Sequence, residues 1–219
     1  MEPLALDLGR ERRAIAPGAV HLPGWLDGGQ QAELVELFER FSRGPVPMRA
    51  PAVRGNLMSV QMVCLGWHWQ PYRYSRDASD VNGALVADVP QWLGDLGRAA
   101  VGDAYEPDAG VAYRPDVALM NYYDDEARMG MHQDKDEWVN EPVVSLSVGN
   151  TCRFRFGNIE NRNKPYTDID LASGDAFVFG RDSRFAFHGV TKVYPHSAPA
   201  SSPWRTGRLN ITIRVTGRT

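Results

Sequence analysis

The sequence predicts a mainly β protein with flanking helices, and three observations carry that expectation. From about residue 110 onward, short strand-like runs follow one another, most of them ended by turn residues. Helical periodicity is confined to two stretches upstream of that point. Glycine (21) and proline (15) are frequent for 219 residues, which suits a fold with many turns better than a helix bundle.

In chain order, the first element is a helix over residues 30–41, with Asp27 as its cap and Leu34, Leu37, Phe38 and Phe41 on one side. A second helix is expected over 90–101, opening on Pro90, with Trp92, Leu93, Leu96 and Ala100 forming its apolar face. Strands are expected near 116–123, 143–148, 153–156, 167–171, 176–179, 185–188 and 208–215. Gly149-Asn150, Gly157-Asn158, Ser173-Gly174-Asp175 and Arg181-Asp182-Ser183 punctuate them. Many short strands so divided imply a sandwich, a barrel or a jelly roll. Residues 195–207 are rich in Pro and Ser and read as a flexible, exposed loop. The length suits one domain, residues 1–219, with helices and loops to about 110 and a compact β-core over 111–219.

A net charge of -3 excludes a strongly basic nucleic-acid binder, so any polyanion site must be a local patch. Cys64 and Cys152 are too few for a disulfide framework and fit no zinc pattern. Residues 1–20 mix charges with a few apolar residues and hold no apolar run of leader length; no run elsewhere could span a membrane. The expectation is a reduced, cytoplasmic protein.

Chemistry enters at His132-Gln133-Asp134. On an extended segment, residues two apart point to the same side, so an imidazole and a carboxylate project together as two ligands of one metal would. Two histidines and one carboxylate form a facial triad that suits Fe(II) and leaves three positions open. Alone the motif is weak, since roughly one His in ten has an acidic residue two places on. Among the other histidines, His21 is placed after an early strand outside the core, His68 in an aromatic loop and His196 in the Pro/Ser-rich loop. His188 ends the apolar run Phe185-Ala186-Phe187 before Gly189 and has a modest edge as third ligand over a core histidine bonded to backbone.

Residues 208–214 alternate strictly. Arg208, Asn210, Thr212 and Arg214 share one face, and Leu209, Ile211 and Ile213 share the other. This is either an edge strand with its polar face in water or the wall of a polar cavity in which two guanidinium groups bracket a small dicarboxylate. Asn121 and Tyr123, also two apart, could add neutral hydrogen bonds to the same anion. Between Gly66 and Asp77, the aromatics Trp67, Trp69, Tyr72 and Tyr74 interleave with His68, Arg73 and Arg76. They either stack a base beside its phosphate or pack on the core.

Together these residues resemble the AlkB family of nucleic-acid dealkylating dioxygenases. The resemblance runs in order through Asn121-Tyr122-Tyr123, His132-Gln133-Asp134-Lys135-Asp136-Glu137, Ser183-Arg184, His188-Gly189 and the whole of 208–214. It covers most of the chain from about residue 110. Upstream, Leu57-Met58-Ser59-Val60 and Leu65-Gly66-Trp67 look like the family's substrate-recognition lid.

The resemblance implies a double-stranded β-helix, or jelly roll, with iron held by His132, Asp134 and His188. It implies that Arg208 meets the 2-oxoglutarate carboxylate far from the iron, that Arg214 meets the carboxylate at the metal end, and that Asn121, Tyr123 and Asn210 add hydrogen bonds. It implies oxidative decarboxylation of 2-oxoglutarate by O2 to succinate and CO2, with hydroxylation of an N-methyl group that leaves as formaldehyde. Trp67, Tyr72, Tyr74, Asp136 and Arg162 fall at or near substrate positions. A carboxylate at Asp136 favours 1-methyladenine and 3-methylcytosine, which are cationic at neutral pH. Phe154 and Phe156 are expected to pack in the core, and Phe179 stands where the family often has Trp.

The expected substrate is alkylated DNA, single strand preferred, with RNA as a further one, acted on by a monomer. Such a base must leave the helix to reach iron. Binding is expected to be weak and salt-sensitive, carried by Arg73, Arg76, Lys135 and Arg162. Two alternatives stand beside this. The same core could oxidise a protein or a small molecule, or it could be a non-catalytic jelly-roll binding module. A zinc hydrolase is disfavoured, because no general base is evident and the arginine strand would be unexplained.

Overall fold

A computed structural model describes residues 11–218. Residues 1–10, and with them half of the N-terminal stretch read above for a leader, lie outside the described residues. Helix α1 spans Gly28–Ser42, and its cap is as expected. Asp27 accepts from the Gln30 amide while the Gln30 side chain reaches back to the Asp27 amide. It buries Leu34, Val35, Leu37 and Phe38. Helix α2 (Gln91–Ala104) starts behind Pro90, and a short α3 (Pro107–Ala112), missed in the sequence, packs on it.

The strands are β1 (Arg13–Ala16), β2 (Ala19–Leu22), β3 (Ala52–Val53), β4 (Asn56–Leu57), β5 (Gln61–Leu65), β6 (His68–Gln70), β7 (Arg73–Ser75), β8 (Val117–Tyr123), β9 (Met129–His132), β10 (Val143–Gly149), β11 (Cys152–Phe156), β12 (Thr167–Leu171), β13 (Ala176–Phe179), β14 (His188–Val193) and β15 (Arg208–Arg214). Among the described residues, seven strands make the larger sheet in the order β1-β2-β13-β10-β15-β8-β5, and four make the smaller, β12-β11-β14-β9. Two sheets face to face, with antiparallel neighbours throughout, give the jelly roll. Helices α1 and α2 cover the outer face of the larger sheet through the cluster of Leu34, Phe38, Leu93, Ala100, Leu146 and Ile211. The inner faces meet through Phe154, Phe156, Phe177, Phe179 and Val190.

Four expectations change. First, the β-core is not confined to residues after 110, because β2 and β5 are built into the larger sheet. Second, His21 does not lie outside the core. It sits in β2 opposite Phe177 and is 3% exposed, with Nε2 at 2.9 Å from Asp175 Oδ2. Third, residues 185–187 are not strand. The chain makes a short 3-10 turn at Arg181–Ser183, and β14 begins only at His188. Fourth, part of the 195–207 loop is packed. Trp204 stands edge-on to Phe38 and Tyr122, and Ser202 is buried. Gly149 permits this, because a Cβ there would come within 2.8 Å of the Trp204 ring and its φ is +95.

Asp175 also accepts from the amides of Gly24 and Ala172. It therefore ties β2, the turn after it and the turn before β13 into one buried knot. Asp175→Ala leaves these donors unpaired and is expected to cost about 3 kcal/mol. A urea titration checks this, and a midpoint equal to wild type would contradict it.

Candidate metal and keto-acid site

The site sits between the sheets at the end where β9 meets β14. These strands pair with His132 opposite His188. The close approach depends on Gly189, since a Cβ there would stand 2.4 Å from the Met129 carbonyl oxygen. Each imidazole is oriented by its own strand. His132 Nδ1 lies 3.0 Å from the Gly130 carbonyl and His188 Nδ1 lies 3.0 Å from the Ala186 carbonyl. A carbonyl can only accept, so both Nδ1 atoms carry the proton and both Nε2 lone pairs face the site.

Asp134 follows β9 and places one oxygen toward each ring, with Oδ1 at 3.6 Å from His132 Nε2 and Oδ2 at 3.5 Å from His188 Nε2. One ligand atom from each of the three residues lies within 4.8 Å of the others. Phe179, Phe154 and Phe156 surround His188, with ring centroids at 4.8, 5.8 and 6.5 Å. That burial, reinforced by the neighbouring His132, lowers the His188 pKa and keeps it in the neutral form a metal needs.

Behind Asp134 lies a buried ionic network. Arg214 Nη2 is 2.9 Å from Asp134 Oδ2, and its Nη1 is 3.1 Å from Glu137 Oε1. Arg184 Nη2 is 3.1 Å from Glu137 Oε2, and Arg184 Nη1 donates to the Asp134 carbonyl at 2.6 Å. Burial works to raise the Asp134 pKa, but Arg214 and then His188 outweigh it and hold this carboxyl well below the usual range. Glu137 behaves alike. Burial pushes it up, and Arg214 first among the cations brings it below its ordinary value.

Strand β15 is central, paired with β10 on one side and β8 on the other, so its polar face is no edge in water. Arg208, Asn210, Thr212 and Arg214 all line a cavity of about 880 Å³ together with Asn121, Tyr123 and the triad. Arg208 is 1% exposed and gives one donor to Ser147. Its Nε and Nη1 have no partner among the described residues, and neither do Arg214 Nε and Asn121 Oδ1. Asn210 lines the same wall, but its amide is engaged by Ser145, Leu146 and Thr212.

The mouth of the cavity is formed by Arg54, Trp69, Tyr72, Lys135, Asp136 and Arg162, among others. Of the substrate positions named from the sequence, Tyr72, Asp136 and Arg162 line this cavity. Trp67 and Tyr74 do not. Trp67 packs on the cluster behind the lining and carries the Arg76 guanidinium 5.5 Å above its ring. Tyr74 is buried, its hydroxyl donating to Glu137 at 2.7 Å. Trp69 pairs with Tyr74 across the β6–β7 hairpin, and Trp69 Nε1 donates to Asp136 Oδ2 at 2.9 Å. Arg76 is bound to the Gly66 carbonyl and to Asp88, so it is not free for a phosphate. From the sequence, Glu137 and Arg184 are named only as part of the resemblance and given no role, and Arg54 is not named. Arg54 could have been suspected from Arg54-Gly55, a hairpin-turn pair, but no local signal marks the two buried charges.

Comparison with known proteins agrees with this geometry. The model of the 2OG-Fe(II) oxygenase superfamily matches residues 18–214. An AlkB homolog described as an alpha-ketoglutarate-dependent dioxygenase, from Caulobacter vibrioides, is 37% identical over 91% of this chain and 88% of its own. The chain belongs to the AlkB family of 2OG-Fe(II) oxygenases. Another similar protein is the DNA N(6)-methyladenine demethylase ALKBH1D of Arabidopsis thaliana, 31% identical over 95% of the AlkB-type chain; the chain spans about half, 52%, of that relative's length. The solved structure of OsALKBH1 superposes with a TM-score of 0.83 at 32% identity, covering 93% of this chain and 100% of that one.

An AlkB-family oxygenase works with Fe(II), 2-oxoglutarate and O2, and the residues present fit that set. The triad supplies two neutral nitrogens and one carboxylate, which suits Fe(II). The unpaired buried donors of Arg208 and Arg214 suit a dianion beside the metal, because leaving such donors unpaired in the interior is costly.

Proposed function

We propose that this protein is a nucleic-acid dealkylase that removes N-methyl groups of the 1-methyladenine and 3-methylcytosine type from single-stranded DNA and also from RNA. The observation that carries the proposal is the mouth of the cavity. Flat side chains (Trp69, Tyr72), cations (Arg54, Lys135, Arg162) and one carboxylate (Asp136) line the same cavity as the triad. An aromatic face stacks any base, the cations meet the flanking phosphates, and the carboxylate favours a base that carries positive charge. The names of the relatives, a DNA N(6)-methyladenine demethylase and an AlkB dioxygenase among them, support N-demethylation of a nucleic-acid base.

In this reading His132, Asp134 and His188 hold the metal, and Arg208 takes the distal carboxylate of the keto acid through its two free donors. Arg214, Asn121, Tyr123 and Asn210 line the rest of the anion's bed. Bound Fe(II) would activate O2, which is the oxidant; oxidative decarboxylation of 2-oxoglutarate to succinate and CO2 would supply two of its four electrons and the N-methyl group the other two. The protein contributes position and dryness: Phe154, Phe179 and the buried arginines keep water from the reacting methyl. The proposal extends to a monomer acting in the cytoplasm; no helix among the described residues is long and apolar enough to cross a membrane.

Arg208→Ala is expected to raise the KM for 2-oxoglutarate by roughly 10- to 100-fold, the worth of a charge-assisted pair, with a smaller change in the KM for oligonucleotide. A steady-state titration of each substrate checks this, and an unchanged keto-acid KM would contradict it.

The reaction itself is tested by mixing the enzyme anaerobically with Fe(II), 2-oxoglutarate and a panel of methylated oligonucleotides, admitting O2, and following loss of the methyl by mass spectrometry. Formaldehyde and succinate in equal amounts support the proposal. Succinate without loss of methyl from any oligonucleotide would point instead to a protein or metabolite substrate. Oligonucleotide affinity is expected to be weak, falling with salt at a shallow slope of about 2 to 4 because few phosphates are met. A slope of zero would argue against nucleic acid.

A further inference from the structure

The β6–β7 hairpin is joined to the metal-binding segment by two parallel hydrogen bonds. Trp69 and Tyr74 are cross-strand partners on one face of the hairpin. Trp69 Nε1 donates to Asp136, and Tyr74 Oη donates to Glu137. These two acceptors are adjacent in sequence, just past the ligand Asp134. The hairpin also carries Tyr72 at its turn, 64% exposed and lining the cavity mouth.

From Tyr74 the contacts continue inward without a break. Glu137 Oε1 takes both the Tyr74 hydroxyl and Arg214 Nη1, Arg214 Nη1 also donates directly to the Tyr74 hydroxyl oxygen at 3.3 Å, and Arg214 Nη2 pairs with Asp134 Oδ2. The side chain of every member of this chain is buried, so each bond is made in a medium that screens it little. Arg214 is the pivot, because its Nε is still unpaired and the residue lines the cavity that holds the keto-acid bed. When that third donor is satisfied, the planar fork has no freedom left, and Glu137 and the Tyr74 hydroxyl are fixed with it.

We propose that Tyr74 is a positioning residue which, through Glu137 and Arg214, couples occupancy of the metal and keto-acid site to the stiffness of the β6–β7 hairpin. The enzyme then presents a rigid mouth to its substrate only when the cofactors are in place. A buried phenol with a single charged acceptor suits this role: it transmits orientation without contacting the substrate. The inference rests on family membership and the observed contacts, not on what the substrate is.

The test is hydrogen–deuterium exchange on the full chain, with and without Mn(II) plus N-oxalylglycine as a non-reactive keto-acid analogue, in wild type and Y74F. In wild type, loading is expected to slow the hairpin amides roughly tenfold, the scale of one charge-assisted hydrogen bond. In Y74F the slowing is expected to fall below about twofold, while amides of β10 and β15 exchange as in wild type. Equal slowing of the hairpin in both proteins would overturn the proposal. Should Y74F loosen the core as well, E137Q decides, since it keeps the shape and removes the charge that holds Arg214. Loss of the loading response in E137Q supports the coupling, and a wild-type response there overturns it. No nucleic acid is present, so the outcome is independent of the dealkylase proposal.

Discussion

His188→Ala will lower 2-oxoglutarate turnover by about three orders of magnitude or more. The chain will remain folded, because the side chain lost is one ring inside a large aromatic cluster. Two of the three ligands come from residues 132 and 134, and neither the pair nor any neighbour can replace the third. Among the described residues, the other two strand histidines are engaged elsewhere, His21 with Asp175 and His68 with Asp80. His132→Ala and Asp134→Ala are expected to fall to the same floor, since ligands that act as one unit are not additive. The check is succinate formation with excess Fe(II), alongside circular dichroism. A variant that keeps its fold and more than about a tenth of wild-type turnover would remove that residue from the metal site.

Arg214→Met will be the most destabilising single change in the site. It removes one guanidinium that two buried carboxylates share: Asp134 loses its arginine, and Glu137 is left with Arg184 and the Tyr74 hydroxyl. Breaking one side of a buried ion pair costs about 3–5 kcal/mol, which for a domain of this size is a drop in Tm on the order of 10 °C. The pH dependence follows from Glu137. Its pKa is lowered in the fold, burial being outweighed by Arg214 and Arg184. A lowered carboxyl contributes stability in full above its unfolded value, near 4.3, and loses it as pH falls through the folded value. The gap between wild type and Arg214→Met is therefore widest above about pH 5 and narrows below about pH 4. Chemical denaturation of the metal-free proteins at pH 7 and pH 4 measures both gaps, and a gap that widens on acidification would contradict this reading.

The parts of the fold with a simple period were legible in the sequence. Helix α1 could be read from its cap and its apolar spacing, and β12 and β13 from the turn Ser173-Gly174-Asp175 between them. The triad was legible because His132 and Asp134 stand two apart and His188 precedes a glycine. The structure gives that glycine a reason, in the approach of β9 to β14. What could not be read depends on pairing between distant segments. Nothing local places β2 and β5 in the larger sheet, since their partners, β13 and β8, lie far along the chain. The faces of the hairpin were misjudged for the same reason. Trp67, Trp69, Tyr72 and Tyr74 form an even aromatic run, and only the β6–β7 register shows that Trp69 meets Asp136 while Tyr74 is drawn inward to Glu137. Buried charges were the hardest to see. Glu137 and Arg184 look like surface residues until their partners are known.

The most direct test of the account is a crystal structure of the protein with Mn(II) and 2-oxoglutarate, grown without oxygen. The account predicts one anomalous peak within bonding distance of His132 Nε2, Asp134 and His188 Nε2, with the keto acid reaching from that metal to the free donors of Arg208. A metal bound elsewhere, or an Arg208 whose donors meet no carboxylate, would contradict it.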